Sequence, residues 1–131
     1  MSTPTKNRTI WIGRYLIIVA ALHTIVAFLI YGQVFVGMLE RGVFNTVNRD
    51  PLRSAATWFL LFGGPLFLLG ICINSLEQKT DFTEAGMMGL GILLCSILGV
   101  ILMPVSGFWL AMPAAIALMN LRPGAGQRQI A

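Results

Sequence analysis

Residues 85–121, AGMMGLGILLCSILGVILMPVSGFWLAMPAAIALMNL, run for 37 positions without one Asp, Glu, Lys or Arg. A hydrocarbon core about 30 Å thick is crossed by roughly 20 apolar residues in a helix. The stretch is therefore too long for one crossing and right for two, with Pro104-Val105-Ser106-Gly107 as the bend between them. Working outward, two more charge-free gaps lie between Arg14 and Glu40 and between Arg53 and Glu77. Each fits one crossing. The fold class that follows is all-α, an integral membrane bundle of four transmembrane helices at 10–32, 52–76, 85–103 and 108–121. These form a single domain over 10–121, with polar tails at 1–9 and 122–131 expected in the cytoplasm.

Composition supports the same class. Apolar residues make up 56% of the 131 and charged residues 11%, against about 25% charged in a soluble domain. The net charge of +4 does not point to nucleic acid. The basic residues sit at the ends of apolar segments, where they meet lipid headgroups, and no basic run has interleaved aromatics. The partners expected are membrane lipids and either further copies of the chain or a partner membrane protein, with no nucleic acid. Cys72 and Cys95 both lie inside apolar segments and form no C-x-x-C pair, which removes thiol–disulfide chemistry. The apolar run 15–31 exceeds a signal-peptide core and lacks a small-x-small cleavage site, so it reads as a retained span.

Lys and Arg set the orientation. Lys6, Arg8, Arg14, Lys79, Arg122 and Arg128 share one side, and Arg41, Arg49 and Arg53 the other. The larger group places both termini in the cytoplasm. Between the first two spans, apolar positions 35, 36, 39, 43 and 47 recur at roughly helical spacing, with Glu40, Arg41 and Asn45 elsewhere around the wheel. That pattern predicts an amphipathic helix over 33–48, lying in the interface or packed over the mouth of the bundle. Asn48-Arg49-Asp50-Pro51 then makes a turn into span two, and the charges around it read as a solvated, salt-bridged loop.

Helices in lipid associate through close backbone approach, so small residues on one face mark packing seams. Such stripes are Gly63 and Gly70 in span two, Gly91, Cys95 and Gly99 in span three, and Gly107, Ala111 and Ala115 in span four. His23 is the only histidine and the only ionisable side chain deep in a span. The membrane makes such a group expensive, which marks it for inspection. The structural reading is a neutral imidazole bonded to a backbone carbonyl or hydroxyl. The functional reading is a ligand contact or a proton-handling group. Thr57, Asn74 and Ser96 are its polar candidates on other spans, and His23, Asn74 and Trp58 are the candidate ligand-binding residues. One histidine gives too few ligands for a metal or haem, and the methionines scatter along the spans instead of clustering as a copper site would. No metal and no cofactor are expected.

With its four spans, one histidine in the first and one tryptophan in the second, the layout resembles the small four-span inner-membrane proteins of bacteria. That resemblance implies a multi-pass inner-membrane location and transfers no functional residue. Small multidrug exporters are similar in span count but need a glutamate in span one, which is missing here. Quinone-coupled disulfide enzymes need cysteine pairs, also missing. The functional expectation is a non-enzymatic membrane module that binds a lipid-like small molecule or a partner membrane protein. The rival expectation is a homo-oligomeric transporter or channel component with His23 as a proton-sensitive group.

Overall fold

A computed structural model describes residues 10–78 and 84–121. Both tails and the centre of the loop carrying Lys79 fall outside the described residues. The described chain is helical: α1 (Ile12–Glu40), α2 (Pro51–Glu77), α3 (Ala85–Leu102), a short 3₁₀ turn (Gly107–Leu110) and α4 (Ala111–Met119). The all-α bundle expected from the sequence is the fold observed. Three helices are long and apolar enough to cross a membrane, with mean hydropathy of 2.2, 2.0 and 2.4 over their most apolar windows. The 3₁₀ turn and α4 together make a shorter apolar helix, Gly107–Met119.

One sequence expectation fails. No separate amphipathic helix occupies 33–48, because α1 runs on as one helix of 29 residues to Glu40. It stops where Gly42 adopts a left-handed φ of +87° and donates its N–H to the Leu39 carbonyl at 3.1 Å, a glycine C-terminal stop. Asn45 and Asn48 also have positive φ, which a continuing helix could not accommodate. The ten residues 41–50 are turns folded back on the helix ends. Thr46 Oγ1 donates to the Met38 carbonyl and Arg53 Nη1 to the Thr46 carbonyl. Asp50 caps α2 by accepting from the Leu52 and Arg53 N–H groups at 2.9 and 3.2 Å, and it pairs with Arg53 at 3.2 Å. The salt-bridged turn and Pro51 at the helix start therefore appear as the sequence implied. Pro65 withholds the donor that the Leu61 carbonyl would have used, yet α2 continues through it.

Helix α1 packs along α2, α3 packs along α4, and α1 meets α4. The first pair is held by a seven-residue rhythm of small residues. Gly13, Ala20 and Ala27 are buried on α1, and Ala56, Gly63 and Gly70 on α2. Seven-residue spacing keeps one narrow face toward an antiparallel partner along the whole contact. At Gly70 an added Cβ would lie 2.9 Å from the Ile17 nitrogen, and at Gly63 it would lie 2.7 Å from Thr24 Oγ1. At Gly13 it would collide with the Asn74 backbone. The second pair closes at Gly89, where a Cβ would sit 2.7 Å from the Ala115 carbonyl, and at Gly99, which faces the Phe108 ring.

The stripes expected from sequence are only partly used. Gly63, Gly70, Gly99 and Ala115 lie in seams and Ala111 is half-buried, but Gly91, Cys95 and Gly107 are exposed. Their spacing of four was real, but on α3 the face that meets α4 is the one carrying Gly89, Ser96 and Gly99.

All four helices meet along the half of the hairpin where α1 begins, as far as the ring contact of Phe62 with Phe108 at 6.4 Å. Ile12, Leu16, Ile73, Ala85, Ala114 and Leu118 form the buried cluster, and Tyr15 Oη donates to the Leu110 carbonyl at 2.8 Å. That oxygen sits three residues before Pro113, which has no N–H to offer a 3₁₀ turn. At 1.5 Å per residue α1 is about 43 Å long and α3 about 27 Å. The α1–α2 hairpin therefore extends well beyond the shorter pair. Its outer surfaces are apolar: Leu29 is 78% exposed and Trp58 72%.

Candidate functional site

His23 lies on α1 one turn from the close approach at Gly63. Its Nε2 lies 2.7 Å from the Phe59 carbonyl of α2. That oxygen can only accept, so Nε2 carries the proton. The ring stacks on Phe59 with centroids 4.3 Å apart at 19°, and Phe62 meets it edge-on at 5.7 Å. A peptide carbonyl can accept two bonds, so the histidine adds a cross-link to α2 without breaking its helix. None of the side chains expected to reach His23 is its partner. Ser96 Oγ donates to its own Ile92 carbonyl, and Thr57 Oγ1 and Asn74 Oδ1 are buried with no partner among the described residues.

His23, Asn74 and Trp58 are not brought together. Asn74 faces Gly13, ten residues before His23, which is about 15 Å along the helix. Trp58 points outward from α2. What does gather around His23 is aromatic. From Phe59 the ring contacts pass to Tyr31 at 5.7 Å, from Tyr31 to Phe35 at 6.4 Å, and from Phe35 to Phe28 at 5.5 Å.

This chain of rings ends at a recess of about 270 Å³ lined by Phe28, Phe35, Met38, Leu39, Val43, Thr46 and Leu60. The recess lies under the 41–50 turn, where α1, α2 and the connection converge. Thr46 supplies the only polar side chain in the lining, and its hydroxyl is spent on the Met38 carbonyl. The space therefore suits apolar matter and offers nothing to orient a polar substrate. Sequence reading placed Phe35, Met38, Leu39, Val43 and Thr46 on an amphipathic helix apart from the spans that carry Phe28 and Leu60, and missed the recess. The seven-residue spacing of Phe28 and Phe35 was the available signal that α1 continues past Gly32.

A second feature escaped the sequence. Glu77, one residue past the 52–76 span expected from the sequence, ends α2 and is 3% exposed. Its carboxylate accepts from the N–H groups of Gly13 at 2.8 Å, Ile12 at 3.2 Å and Trp11 at 3.4 Å. Helix α1 has no side-chain cap of its own and no acidic residue in its first turn. The orphan donors at its start are satisfied from the antiparallel neighbour, where the negative charge also meets the positive end of the α1 dipole. Glu77 stands seven residues after Gly70, in the same rhythm as Ala56, Gly63 and Gly70. At the helix end there is room for a long side chain to curl over the start of α1. Two signals were legible: an acid closing an apolar run, and a first helix with no cap. Among the described residues no three His, Cys, Asp or Glu side chains cluster, so this arrangement assembles no metal ligand set.

An all-helical chain with three helices of membrane-crossing length, a histidine committed to a backbone carbonyl and an apolar recess defines a class of protein but no reaction. The chain matches the family of unknown function DUF6463 over residues 7–123 and belongs to that family. No curated protein and no solved structure matches it.

Proposed function

We propose that this is a multi-pass protein of a bacterial inner membrane, with four crossings and both termini in the cytoplasm, and that it acts as a non-enzymatic module holding a lipid-like small molecule. The apolar recess between Phe28, Phe35, Met38, Leu39, Val43 and Leu60 carries this reading. A pocket that turns catalysis or recognition of a polar substrate needs converging polar groups, and this one has a single hydroxyl already in use. The surrounding outward faces are apolar as well, so an acyl chain could enter from the bilayer without crossing water.

The rival reading, a proton-sensitive transporter centred on His23, has less support, since the imidazole is engaged by Phe59 through both its Nε2 and its face. Two measurements separate the readings. The full chain in detergent should be stabilised against heat by a series of long-chain alcohols, with a chain-length optimum. Leu60→Trp, which fills the recess, should abolish that stabilisation. No stabilisation at any chain length, together with pH-driven flux in proteoliposomes that His23→Leu eliminates, would transfer the case to the rival.

A further inference from the structure

We propose that the recess seats an acyl chain of an anionic membrane phospholipid whose phosphate is met by Arg41 and Arg49; this rests on the lipid-holding function above. Three observations lead there. The recess is apolar and, at about 270 Å³, smaller than the roughly 300–1,000 Å³ of sites for drug-sized molecules. Val43 and Thr46 of the 41–50 turn line it, and that turn carries the cations. Arg53 is already occupied, with Nε on Asp50 at 3.2 Å and Nη1 on the Thr46 carbonyl at 3.0 Å. Arg41 and Arg49 are exposed, and neither takes part in an ion pair or side-chain hydrogen bond found among the described residues.

The local charge balance leaves one site for an anion. Asp50 and Arg53 neutralise each other, so Glu40, Arg41 and Arg49 leave a net positive charge at the turn. The turn is tied down by the Thr46–Met38 and Arg53–Thr46 bonds, which fixes the backbone that carries Arg41 and Arg49. Guanidinium matches phosphate in geometry and in weak hydration. An apolar slot lined by a turn that bears free cations, in helices apolar enough to lie in lipid, is complementary to one kind of molecule: an amphiphile with an apolar chain and an anionic head.

The test uses the full chain reconstituted in phosphatidylcholine vesicles doped with equal amounts of phosphatidylglycerol and of diacylglycerol bearing the same chains. The protein is extracted and its retained lipid read by native mass spectrometry. The wild type should retain phosphatidylglycerol roughly fivefold over diacylglycerol, the effect of two arginines opposed by one glutamate at about 1 kcal/mol of net attraction. Arg41→Gln/Arg49→Gln should erase that preference while leaving the diacylglycerol level unchanged. Leu60→Trp should remove both lipids. Equal retention by the wild type, or a preference that survives the double substitution, overturns the headgroup assignment and leaves the recess. Unchanged retention in Leu60→Trp overturns the lipid-holding function itself. A species of twice the chain mass with neither lipid retained means that a second copy covers the recess, and it overturns the proposal.

Discussion

The two ends of the α1–α2 hairpin are built from the same kind of residue and held in different ways. At the end where α1 begins, four helices meet over Ile12, Leu16, Ile73, Ala85, Ala114 and Leu118, and the buried Glu77 carboxylate holds three backbone N–H groups. At the other end two helices continue beyond the short α3–α4 pair. They are joined by the rings of Phe28, Tyr31, Phe35 and Phe59 and by a turn pinned through Thr46 and Arg53, with the His23–Phe59 bond midway between the ends. The first end is closed around a polar contact that has no alternative partner. The second encloses a recess and presents apolar side chains outward. Stability should therefore concentrate at the first end and binding at the second, since sites that admit a ligand are drawn from less tightly packed regions.

Removing the polar contact is the strongest way to break this contrast. Glu77→Ala leaves three helix N–H donors without an acceptor and should cost about 3 kcal/mol, given 1–3 kcal/mol for each buried group left unpaired and some recovery by water. Glu77→Gln keeps one acceptor oxygen and should cost less. Denaturant titration in mixed micelles reads both, and an unchanged midpoint for Glu77→Ala would mean that α1 is not held from α2. Gly13→Ala comes next. Its methyl group meets the Asn74 backbone, which cannot swing aside, and the loss should be about 1–3 kcal/mol in the same titration.

The same substitution at the far end should act in the opposite direction. Nothing lies within 4 Å of a Cβ added at Gly32, in the middle of α1. Gly32→Ala should therefore stabilise the chain by about 0.5–1 kcal/mol through helix propensity alone. A loss at Gly32 would show that the outer half of the hairpin has close neighbours after all. The smallest effect is expected at His23. His23→Leu removes an inter-helical bond, which in a membrane protein is worth about 0.6 kcal/mol on average, and it retains the apolar contact with Phe59. A loss above about 2 kcal/mol would place a structural keystone midway along the hairpin and blur the contrast between the ends. A lost cellular phenotype at normal stability would instead make His23 functional.

The all-α class and the three long apolar helices were legible in residues 15–39, 54–76 and 85–121, because a charge-free run of that length has few other stable outcomes. The capped turn at Asp50-Pro51 was legible as well, since capping depends on neighbours in sequence. So was the small-residue face of Gly63 and Gly70, seven apart on one side of α2. The side of α3 that meets α4 was not legible. Gly91-Cys95-Gly99 and Gly89-Ser96-Gly99 are both small-residue stripes on an apolar helix, and without a polar face nothing local ranks them. Only contact with Ala115 and Phe108 selected the second. The length of α1 was set by one glycine, Gly42, whose left-handed conformation stops a helix that periodicity alone had divided at Gly32. Glu77 was the least visible of all. Whether an acid at the end of an apolar run faces water or caps another helix depends on what lies beside it, and here that neighbour is 64 residues away in the chain.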